Sequence, residues 1–377
     1  MQDSSSDYLL EVENLRAFHT SKTGLIRAVN GISFGVKEGE SVGIFGESGA
    51  GKSSIALSIL GIFNKVSRFY ATASASEESE RLWALHDKAR KKGMTPEEMG
   101  EELPGVWGRV LFKGKDLLAL KEKELRKVRG NEITYVPQGL AGSLNPYTEI
   151  DLQTAEALWA HDDDDILWER EVARRVLEVL DLVEIGDVDI RKSLKPGEFS
   201  LGEDQRILIA MALIMEPSLM IADEPTTAVD VGVQQRILDA IILAKERLGL
   251  SVLMISNDQG VMAETADRVG VMSAGKLMEF GDVHTILKSP GHPFTRAFIM
   301  SNPPMELMRT IREKGLRIRG IPGNPPDMAN PPAGCPFNPR CEYAKEVCRE
   351  QMPEYREVER GHWMLCHRYE ELPEFIL

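Results

Sequence analysis

Residues 41–54 read SVGIFGESGAGKSS and contain the pattern that decides the fold. An apolar run without inside/outside alternation comes first, followed by a glycine-rich loop of the form G-x-x-x-x-G-K-S from Gly46 to Ser53 and by a helical stretch. Glycines permit positive φ and close backbone approach, so successive amides at the start of a helix can surround phosphate oxygens. The sequence therefore predicts a phosphate-binding loop between a buried strand and a helix.

Two side chains of this loop carry a specific chemistry. Lys52 is placed to neutralise the terminal phosphates of a nucleotide, and the Ser53 hydroxyl is placed to coordinate Mg²⁺. A structural glycine turn is the alternative, which the strand before the loop and the helix after it disfavour. The residues predicted to contact nucleotide here are Gly46, Glu47, Ser48, Gly49, Ala50, Gly51, Lys52, Ser53 and Ser54.

Segments outside this loop predict an α/β fold. Residues 218–222 and 251–256 are short, continuously apolar runs, as in parallel strands buried on both faces. Alternating segments predict an antiparallel sheet beside this core, and periodic segments predict the helices of an inserted subdomain. The alternating segments are 9–13 and 32–36, and the helical segments are 151–185 and 205–215.

An acidic pair follows the second apolar run, in the segment LMIADEPTTAVD at residues 219–230. Asp223 at the end of the strand is placed to hold Mg²⁺ through water, and Glu224 is placed to polarise a water for attack on a γ-phosphate. A solvated strand end explains most such pairs when they stand alone. The position of this pair downstream of a phosphate loop favours the catalytic interpretation.

The composition of the chain limits its possible functions. The 377 residues are 42% hydrophobic and 28% charged, which suits about two or three domains. Lys and Arg number 45 against 59 Asp and Glu, so the formal charge of -14 disfavours a protein that grips a nucleic-acid backbone. Apolar runs such as 207–215 are shorter than the ~20 residues of a membrane span, and the start lacks a signal-peptide pattern. The chain is expected in the cytoplasm unless another subunit holds it at a membrane.

Shifts in composition predict the domain boundaries. Residues 66–104 are polar, and we interpret them as a solvated insertion with one exposed helix at 76–92. From residue 301 onwards the chain is too rich in Pro and Gly for long helices or central strands. The expected parts are a nucleotide-binding domain at 1–300, with its helical subdomain at about 139–215, and a small C-terminal module at 301–377.

All four cysteines lie in this C-terminal module, in the pattern Cys335-x5-Cys341-x6-Cys348-x17-Cys366. Disulfides are disfavoured in a cytoplasmic chain, and the C-x2-4-C pairs typical of zinc sites are missing from the pattern. Iron–sulfur clusters accept wider spacings of four thiolates. An iron–sulfur cluster, a zinc ion and free thiols all remain open from the spacing alone.

Further motifs resemble those of the nucleotide-binding subunits of ATP-binding cassette (ABC) transporters. YVPQGLAGSLNP resembles the Q-loop, SLGEDQR the signature motif, residues 228–230 the D-loop and residues 256–258 the switch. SLNP, IADEPTTAVDV, HPFTRAF and GCPFNPRC together are similar to strings of the dipeptide/oligopeptide importer group. The resemblance implies a RecA-like P-loop core with an antiparallel β subdomain and a helical subdomain. It also implies an ATPase that powers peptide import through a membrane transporter.

The resemblance also assigns roles to individual residues. It implies catalytic roles for Glu224, Gln138 and Asn257, and nucleotide contacts by Ser200, Gly202, Gln205 and Asp230. The Mg²⁺ ligands that it implies are Ser53, Gln138 and Asp223. Phe18, 28 residues before Gly46, is expected to stack on adenine, with packing under the sheet as the alternative.

Cofactors and partners follow from the same resemblance. It implies ATP, Mg²⁺ and a [4Fe-4S] cluster, with Cys335, Cys341, Cys348 and Cys366 holding the cluster as a structural staple. It implies a second ATPase subunit paired head to tail, two transmembrane permease subunits and, indirectly, an extracellular substrate-binding protein. The chain is then expected at the cytoplasmic face of the membrane as a peripheral subunit.

Two positions depart from the family pattern. The signature normally reads Ser-Gly-Gly, and here Leu201 replaces the first glycine, where close backbone approach is needed. The switch histidine is Asn257, an amide without a proton that titrates near neutral pH. We expect both changes to impair ATP turnover and the partner ATPase to carry the unaltered motifs, which predicts a heterodimer.

Two other classes of protein fit the phosphate loop less well. A soluble cassette ATPase of DNA repair or translation is disfavoured because the chain has no long heptad insertion and no basic stripe. A phosphate-loop kinase is disfavoured by the signature-like SLGEDQR and by the acidic pair. Within importers, an oligosaccharide or nickel remains the alternative cargo.

Overall fold

A computed structural model describes residues 7–22, 24–74, 76–139, 143–162, 168–227, 229–303, 305–313, 315, 318, 320–373 and 375. The chain divides into two compact units. The first unit comprises Met1–Tyr8, Val36–Val42 and Leu120–Ser256. The second unit comprises Leu9–Gly35, Gly43–Ala119 and Asn257–Leu377.

The strands and helices follow one another along both units. The strands are β1 (Leu10–Ser21), β2 (Gly24–Val36), β3 (Ser41–Gly46), β4 (Gly105–Phe112), β5 (Lys115–Asp116), β6 (Ile133–Val136), β7 (Leu219–Asp223), β8 (Ser251–Ser256), β9 (Arg268–Ser273), β10 (Lys276–Asp282), β11 (Tyr355–Glu359) and β12 (His362–Leu365). The helices are α1 (Lys52–Ile59), α2 (Phe63–Ser74), α3 (Glu77–Lys92), α4 (Pro96–Met99), α5 (Glu122–Val128), α6 (Ile150–His161), α7 (Glu169–Leu182), α8 (Val188–Arg191), α9 (Leu201–Leu213), α10 (Val231–Leu248), α11 (Gln259–Thr265), α12 (Val283–Lys288), α13 (Pro293–Ser301), α14 (Met305–Glu313) and α15 (Glu346–Glu350).

The first unit contains parallel strands in the order β8-β7-β6. Every residue of β7 and β8 is buried, as the continuous apolar runs at 218–222 and 251–256 predict. The register pairs Ala222 with Met254 and Val136 with Ala222, so Asp223 is the last residue of a central strand. The two parallel strands predicted for this unit are therefore confirmed.

Helices α6, α7, α9 and α10 pack against one another in the same unit. The predicted helical stretch 151–185 is divided into α6, α7 and a turn that leads to α8, and residues 163–167 lie outside the described part. Helix α9 begins at Leu201, four residues before the predicted start at Gln205. The reason is a capping box, in which the Glu203 amide donates to the Ser200 hydroxyl and the Ser200 amide donates to the Glu203 carboxylate.

The second unit contains an antiparallel sheet in the order β2-β1-β4-β5. The alternating segments 9–13 and 32–36 fall in β1 and β2, as predicted. Strands β11, β12, β10, β9 and β3 neighbour one another in that order. Strand β12 pairs with β10 through Phe280 and Trp363, so the end of the chain extends a sheet that begins before residue 300. The predicted boundary at 300/301 therefore falls between two strands that share a sheet.

The polar segment 66–104 differs from the solvated insertion expected from its composition. The predicted helix at 76–92 is confirmed as α3, which Ser76 caps through the amide of Ser79 and which ends at Gly93. One face of this helix is buried, however, and Ala89 packs with Leu103 and Trp107 in an apolar cluster. The interpretation as a fully solvated segment is wrong, because a sparse set of apolar residues is enough to bury one helical face.

Within the residues that the structure describes, no helix is both long and apolar enough to cross a bilayer.

Candidate functional site

The phosphate loop lies in the second unit, between the end of β3 and the start of α1. Gly51 has φ 100°, and a Cβ there would lie 1.8 Å from the Ala28 carbonyl oxygen. A Cβ at Gly46 would lie 2.1 Å from the Met272 carbonyl oxygen. Backbone therefore surrounds the loop closely at both positions, and only glycine fits. The strand, loop and helix predicted from residues 41–54 are confirmed.

Lys52 is buried at the start of α1, with 5% of its surface exposed. Its Nζ donates to the carbonyl oxygens of Gly46 at 3.0 Å and Glu47 at 3.1 Å. The ammonium group therefore lies over the first turn of the loop. A positive charge at a helix N-terminus suits the binding of phosphate oxygens.

The first acid of the predicted pair, Asp223, ends β7 with 1% of its surface exposed. Its Oδ2 accepts a hydrogen bond from the Tyr135 hydroxyl at 3.1 Å. Burial and the neighbouring Asp223 charge raise the pKa of Tyr135, which keeps the phenol protonated and donating. Sequence reasoning missed this tyrosine, although a phenol in a short strand, two positions before the Q-loop proline, is a usable signal.

The second acid, Glu224, follows at once in the left-handed region with φ 49°. Its amide donates to the Ile255 carbonyl oxygen at 2.8 Å. Its carboxylate accepts hydrogen bonds from Gln138 Nε2 at 2.7 Å and from Thr227 Oγ1 at 3.0 Å. An unfavourable backbone conformation held by several contacts is a feature of functional sites. Gln138 and Glu224, predicted separately, are thus brought together, with Thr227 as an unpredicted partner.

The signature segment forms the start of α9 in the first unit. Ser200 and Gly202 line a pocket of about 210 Å³ together with Glu203, Arg206, Val233 and Arg236. A Cβ at Gly202 would lie 2.2 Å from Val233 Cγ1, so this glycine is required for packing against α10. Leu201 points outward, with 52% of its surface exposed.

Three further residues of the signature segment, Glu203, Asp204 and Gln205, differ in their burial and in their charged neighbours. Arg191 donates to the Glu203 carboxylate at 2.8 Å and lowers the pKa of Glu203 to about 2. Burial, with the Glu203 charge beside it, raises the pKa of Asp204 to about 6. Gln205 is 3% exposed and lies outside the set that lines the pocket, and its expected nucleotide contact stays a prediction.

The D-loop leads into α10. Asp230 caps this helix, because its Oδ1 accepts a hydrogen bond from the Val233 amide at 3.0 Å. Ala228, also part of the predicted D-loop, lies outside the described residues, as do residues 140–142 of the Q-loop segment.

The four cysteines are free thiols and line one pocket in the second unit. Burial raises the pKa of Cys335 to about 12 and that of Cys341 to about 11, and the other cysteines add to both effects. Among the described residues, no three His, Cys, Asp or Glu side chains form a group that could hold a metal ion. The predicted set is therefore gathered around one pocket, without a compact site for a single ion.

Comparison with known proteins identifies the family. The ABC transporter model matches residues 29–89 and 99–227, and the model of the oligopeptide/dipeptide transporter C-terminal region matches residues 278–348. A dipeptide transport ATP-binding protein of Bacillus subtilis is 37% identical over 95% of this chain and 94% of its own length. The chain belongs to the ABC transporter ATP-binding proteins.

A second relative agrees with membership in the ABC transporter family, and a solved structure shows the fold. An oligopeptide transport ATP-binding protein of Salmonella typhimurium is 33% identical over 92% of this chain and 90% of its own length. The fold is similar to that of the ATP-binding cassette MJ0796 bound to ADP and Pi, with a TM-score of 0.55 and 23% identity over 73% of this chain and 98% of the other. The predicted fold class, an α/β cassette with antiparallel and helical parts, is confirmed.

Two ABC-family residues expected at the nucleotide have contrasting surroundings. Phe18 is 2% exposed in β1, which suits the alternative of packing under the sheet. Its stacking on adenine stays a prediction. Asn257 is exposed at the end of β8 and belongs to the second unit, whereas Glu224 belongs to the first. A shared site for Asn257 and Glu224 stays a prediction.

Proposed function

We propose that this chain is the ATPase subunit of an importer of dipeptides or oligopeptides, bound peripherally at the cytoplasmic face of the membrane. The observation that carries the proposal is its similarity, over nearly the full length, to relatives named as peptide transport ATP-binding proteins, at 33–39% identity. The match of residues 278–348 to the C-terminal region of oligopeptide/dipeptide transporters supports the same cargo class.

Different residues of the chain perform the separate steps of ATP hydrolysis. Loop amides and Lys52 bind the phosphates, and the lysine neutralises charge as the terminal phosphoryl group leaves. Glu224 accepts the proton of the attacking water, and the Gln138 amide holds its carboxylate in one orientation through the 2.7 Å hydrogen bond. Ser53, Asp223 and Gln138 would hold Mg²⁺, which would supply charge neutralisation at the phosphates. The products are ADP and inorganic phosphate.

A second ATPase subunit completes the proposed machinery, with two permease subunits in the membrane and an extracellular binding protein that delivers the peptide. In the head-to-tail pair, Ser200 and Gly202 cap the nucleotide of the partner. The outward direction of Leu201 and the pocket beside Ser200 support a surface that meets another molecule. Because Leu201 and Asn257 replace family residues, a partner with intact motifs is the expected companion.

We also propose that Cys335, Cys341, Cys348 and Cys366 hold a [4Fe-4S] cluster. Their donor chemistry fits, because four thiols around one pocket are the usual ligand set of such a cluster. A zinc ion is the alternative, and its tetrahedral site would bring the sulfur atoms to about 3.8 Å from one another, given Zn–S distances of about 2.3 Å. The cluster would cross-link four points of the C-terminal region, which suits a structural role.

Isolation of the intact complex tests the transport proposal. We expect mass analysis of its chains to show a second ABC ATPase and two hydrophobic membrane subunits, and vesicles with the complex to take up labelled dipeptide or oligopeptide when ATP is supplied. Uptake of an oligosaccharide or of nickel in place of peptide would contradict the cargo assignment. A chain that purifies without membrane subunits would contradict the importer assignment altogether.

A further inference from the structure

An arginine of the C-terminal region holds the second residue of the phosphate loop. Arg340 Nη2 lies 2.7 Å from Glu47 Oε1, and Arg340 Nη1 lies 3.0 Å from Glu47 Oε2. The Ser273 hydroxyl also donates to Glu47 Oε1, at 2.9 Å. This two-pronged geometry is the strongest form of an arginine–carboxylate contact.

Burial separates this ion pair from ordinary surface pairs. The side chains of Arg340 and Glu47 are 5% and 15% exposed. By contrast, the Arg356–Glu354 pair of the same region has side chains that are 58% and 76% exposed. A shielded pair is less screened by solvent and salt than an exposed pair, so the loss of one partner leaves a charge that water compensates poorly.

The folding of the four-cysteine segment, residues 335–366, sets the position of this arginine. Arg340 ends a short 3-10 helix at Asn338–Arg340, directly before Cys341. Its amide donates to the Phe337 carbonyl oxygen at 3.0 Å, and its guanidinium lies 5.4 Å from the centre of the Phe337 ring. The Cys335 amide donates to the Cys348 carbonyl oxygen at 2.9 Å, which closes the same segment on itself.

Glu47 in turn touches the phosphate-binding lysine, because its carbonyl oxygen accepts from Lys52 Nζ at 3.1 Å. A carboxylate in a loop that binds a triphosphate would repel the substrate if it carried an uncompensated charge. The guanidinium cancels that charge and fixes the Glu47 carboxylate through two hydrogen bonds. The loop therefore depends on a group that is 293 residues away along the chain.

We propose that Arg340 is a positioning residue of the nucleotide site, which neutralises and fixes Glu47 and thereby couples ATP affinity to the folded state of the four-cysteine segment. Thermodynamic coupling is reciprocal, so nucleotide binding must in turn stabilise the folded four-cysteine segment. The coupling rests on nucleotide binding at the phosphate loop and is independent of what the thiols hold.

A double-mutant cycle on the full chain tests the coupling, with Mg²⁺ and the non-hydrolysable analogue adenylyl imidodiphosphate as the titrated probe. We expect Arg340→Met to weaken binding on the order of tenfold, because it leaves Glu47 uncompensated. In the Glu47→Gln background the same substitution should change Kd by less than about twofold, since no charge is left to compensate. Arg356→Met, at the exposed pair, serves as the matched control and should leave Kd unchanged.

An equal loss of affinity in both backgrounds, or no loss in either, would overturn the proposal. If Arg340→Met does not fold, Arg340→Lys replaces it, because lysine keeps the charge without the two-pronged contact. The affinity of Arg340→Lys for the analogue should be lower than that of the wild type, but higher than expected if the whole contact were lost. Wild-type affinity in this variant would also count against the proposal.

Hydrogen–deuterium exchange distinguishes the proposed coupling from a purely structural role of Arg340, because only the coupling makes the exchange rate of the four-cysteine segment depend on nucleotide. Adenylyl imidodiphosphate should slow exchange across residues 335–350 in the wild-type chain, and the slowing should be clearly smaller in Arg340→Lys. A structural role alone would raise exchange equally with and without nucleotide, which would refute the coupling. Iron analysis of the same samples keeps this result separate from the cluster assignment.

Discussion

Gln138 and Glu224 are 86 residues apart in the sequence, and Gln138 Nε2 donates to Glu224 Oε2 at 2.7 Å. Together with the Thr227 hydroxyl, the amide fixes a carboxylate whose own backbone lies in the left-handed region. A general base works best when its orientation is set before the reaction begins. The Q-loop glutamine thus has a direct route to influence the water-activating step.

Lys52→Ala is expected to weaken ATP binding on the order of 100-fold, because it removes the buried ammonium group that lies over the phosphate loop. Calorimetric titration of the full chain with Mg²⁺-ATP measures the change. Lys91→Ala, on the exposed face of α3, is the matched control and should bind normally. Normal affinity in Lys52→Ala would mean that the loop is not the nucleotide site.

Glu224→Gln should keep ATP binding while lowering kcat by roughly 10²–10⁴-fold, since only the proton acceptor is lost. Gln138→Ala should lower kcat less, because the carboxylate remains but loses the Gln138 hydrogen bond while keeping that of Thr227. Single-turnover hydrolysis in the assembled complex separates these effects from product release. An unchanged rate in Glu224→Gln would mark this site as silent in the wild-type complex.

Anaerobically purified chain is expected to be brown, with about four irons per chain. Cys341→Ser should lose the visible absorption and the iron, because it removes one of the four thiols around the pocket. His367→Gln is the control, since His367 lines the same pocket without being an expected ligand. Stoichiometric zinc without iron would contradict the cluster, and normal folding and assembly of metal-free Cys341→Ser would contradict its structural role.

Leu201→Gly and Asn257→His, made one at a time, should each raise the ATPase rate of the assembled complex several-fold. Leu201→Gly removes an exposed side chain beside Ser200, and Asn257→His restores an imidazole at the switch position. Steady-state phosphate release at saturating ATP is the measurement. If neither substitution changes the rate, the two departures are neutral and the asymmetric heterodimer loses its sequence support.

Asp204 predicts a pH-dependent stability effect. Its pKa is about 6 in the folded chain, above the ordinary 3.8, so the folded state binds the extra proton and Asp204 disfavours folding increasingly as pH rises from about 4 to 6. Asp204→Asn should therefore raise Tm by on the order of 2 °C at pH 7.5 and by less at pH 5. Asp189→Asn, at an exposed aspartate of the same unit, is the control for differential scanning fluorimetry. A larger gain at pH 5 than at pH 7.5 would contradict the sign.

Local patterns predicted the elements that local backbone chemistry determines. The glycines at 46 and 51, the capping residue Ser76 of α3 and the apolar runs of β7 and β8 each act within a few residues of themselves, so they can be read without knowledge of the fold. The same holds for the choice of Asp223 and Glu224, which end a strand that the sequence makes recognisable.

Contacts between residues distant in the sequence determined two features that the sequence patterns did not predict, namely the burial of Phe18 and that of the polar segment 66–104. Phe18 is 2% exposed and lies opposite Gly105 in the β1–β4 pair, and strand alternation alone does not say which face of a sheet is buried. The polar segment 66–104 is only half solvated, because Trp107 supplies a partner for α3.

The contact between Arg340 and Glu47 most clearly separates what the sequence predicts from what only the tertiary structure determines. The sequence determined both residue types and the loop around Glu47, whereas their ion pair depends on how the chain folds between two positions 293 residues apart. Backbone conformation is set by neighbours along the chain, but a side-chain contact is set by whatever else is brought to the same place. Only the tertiary structure therefore connects the phosphate loop to the cysteines.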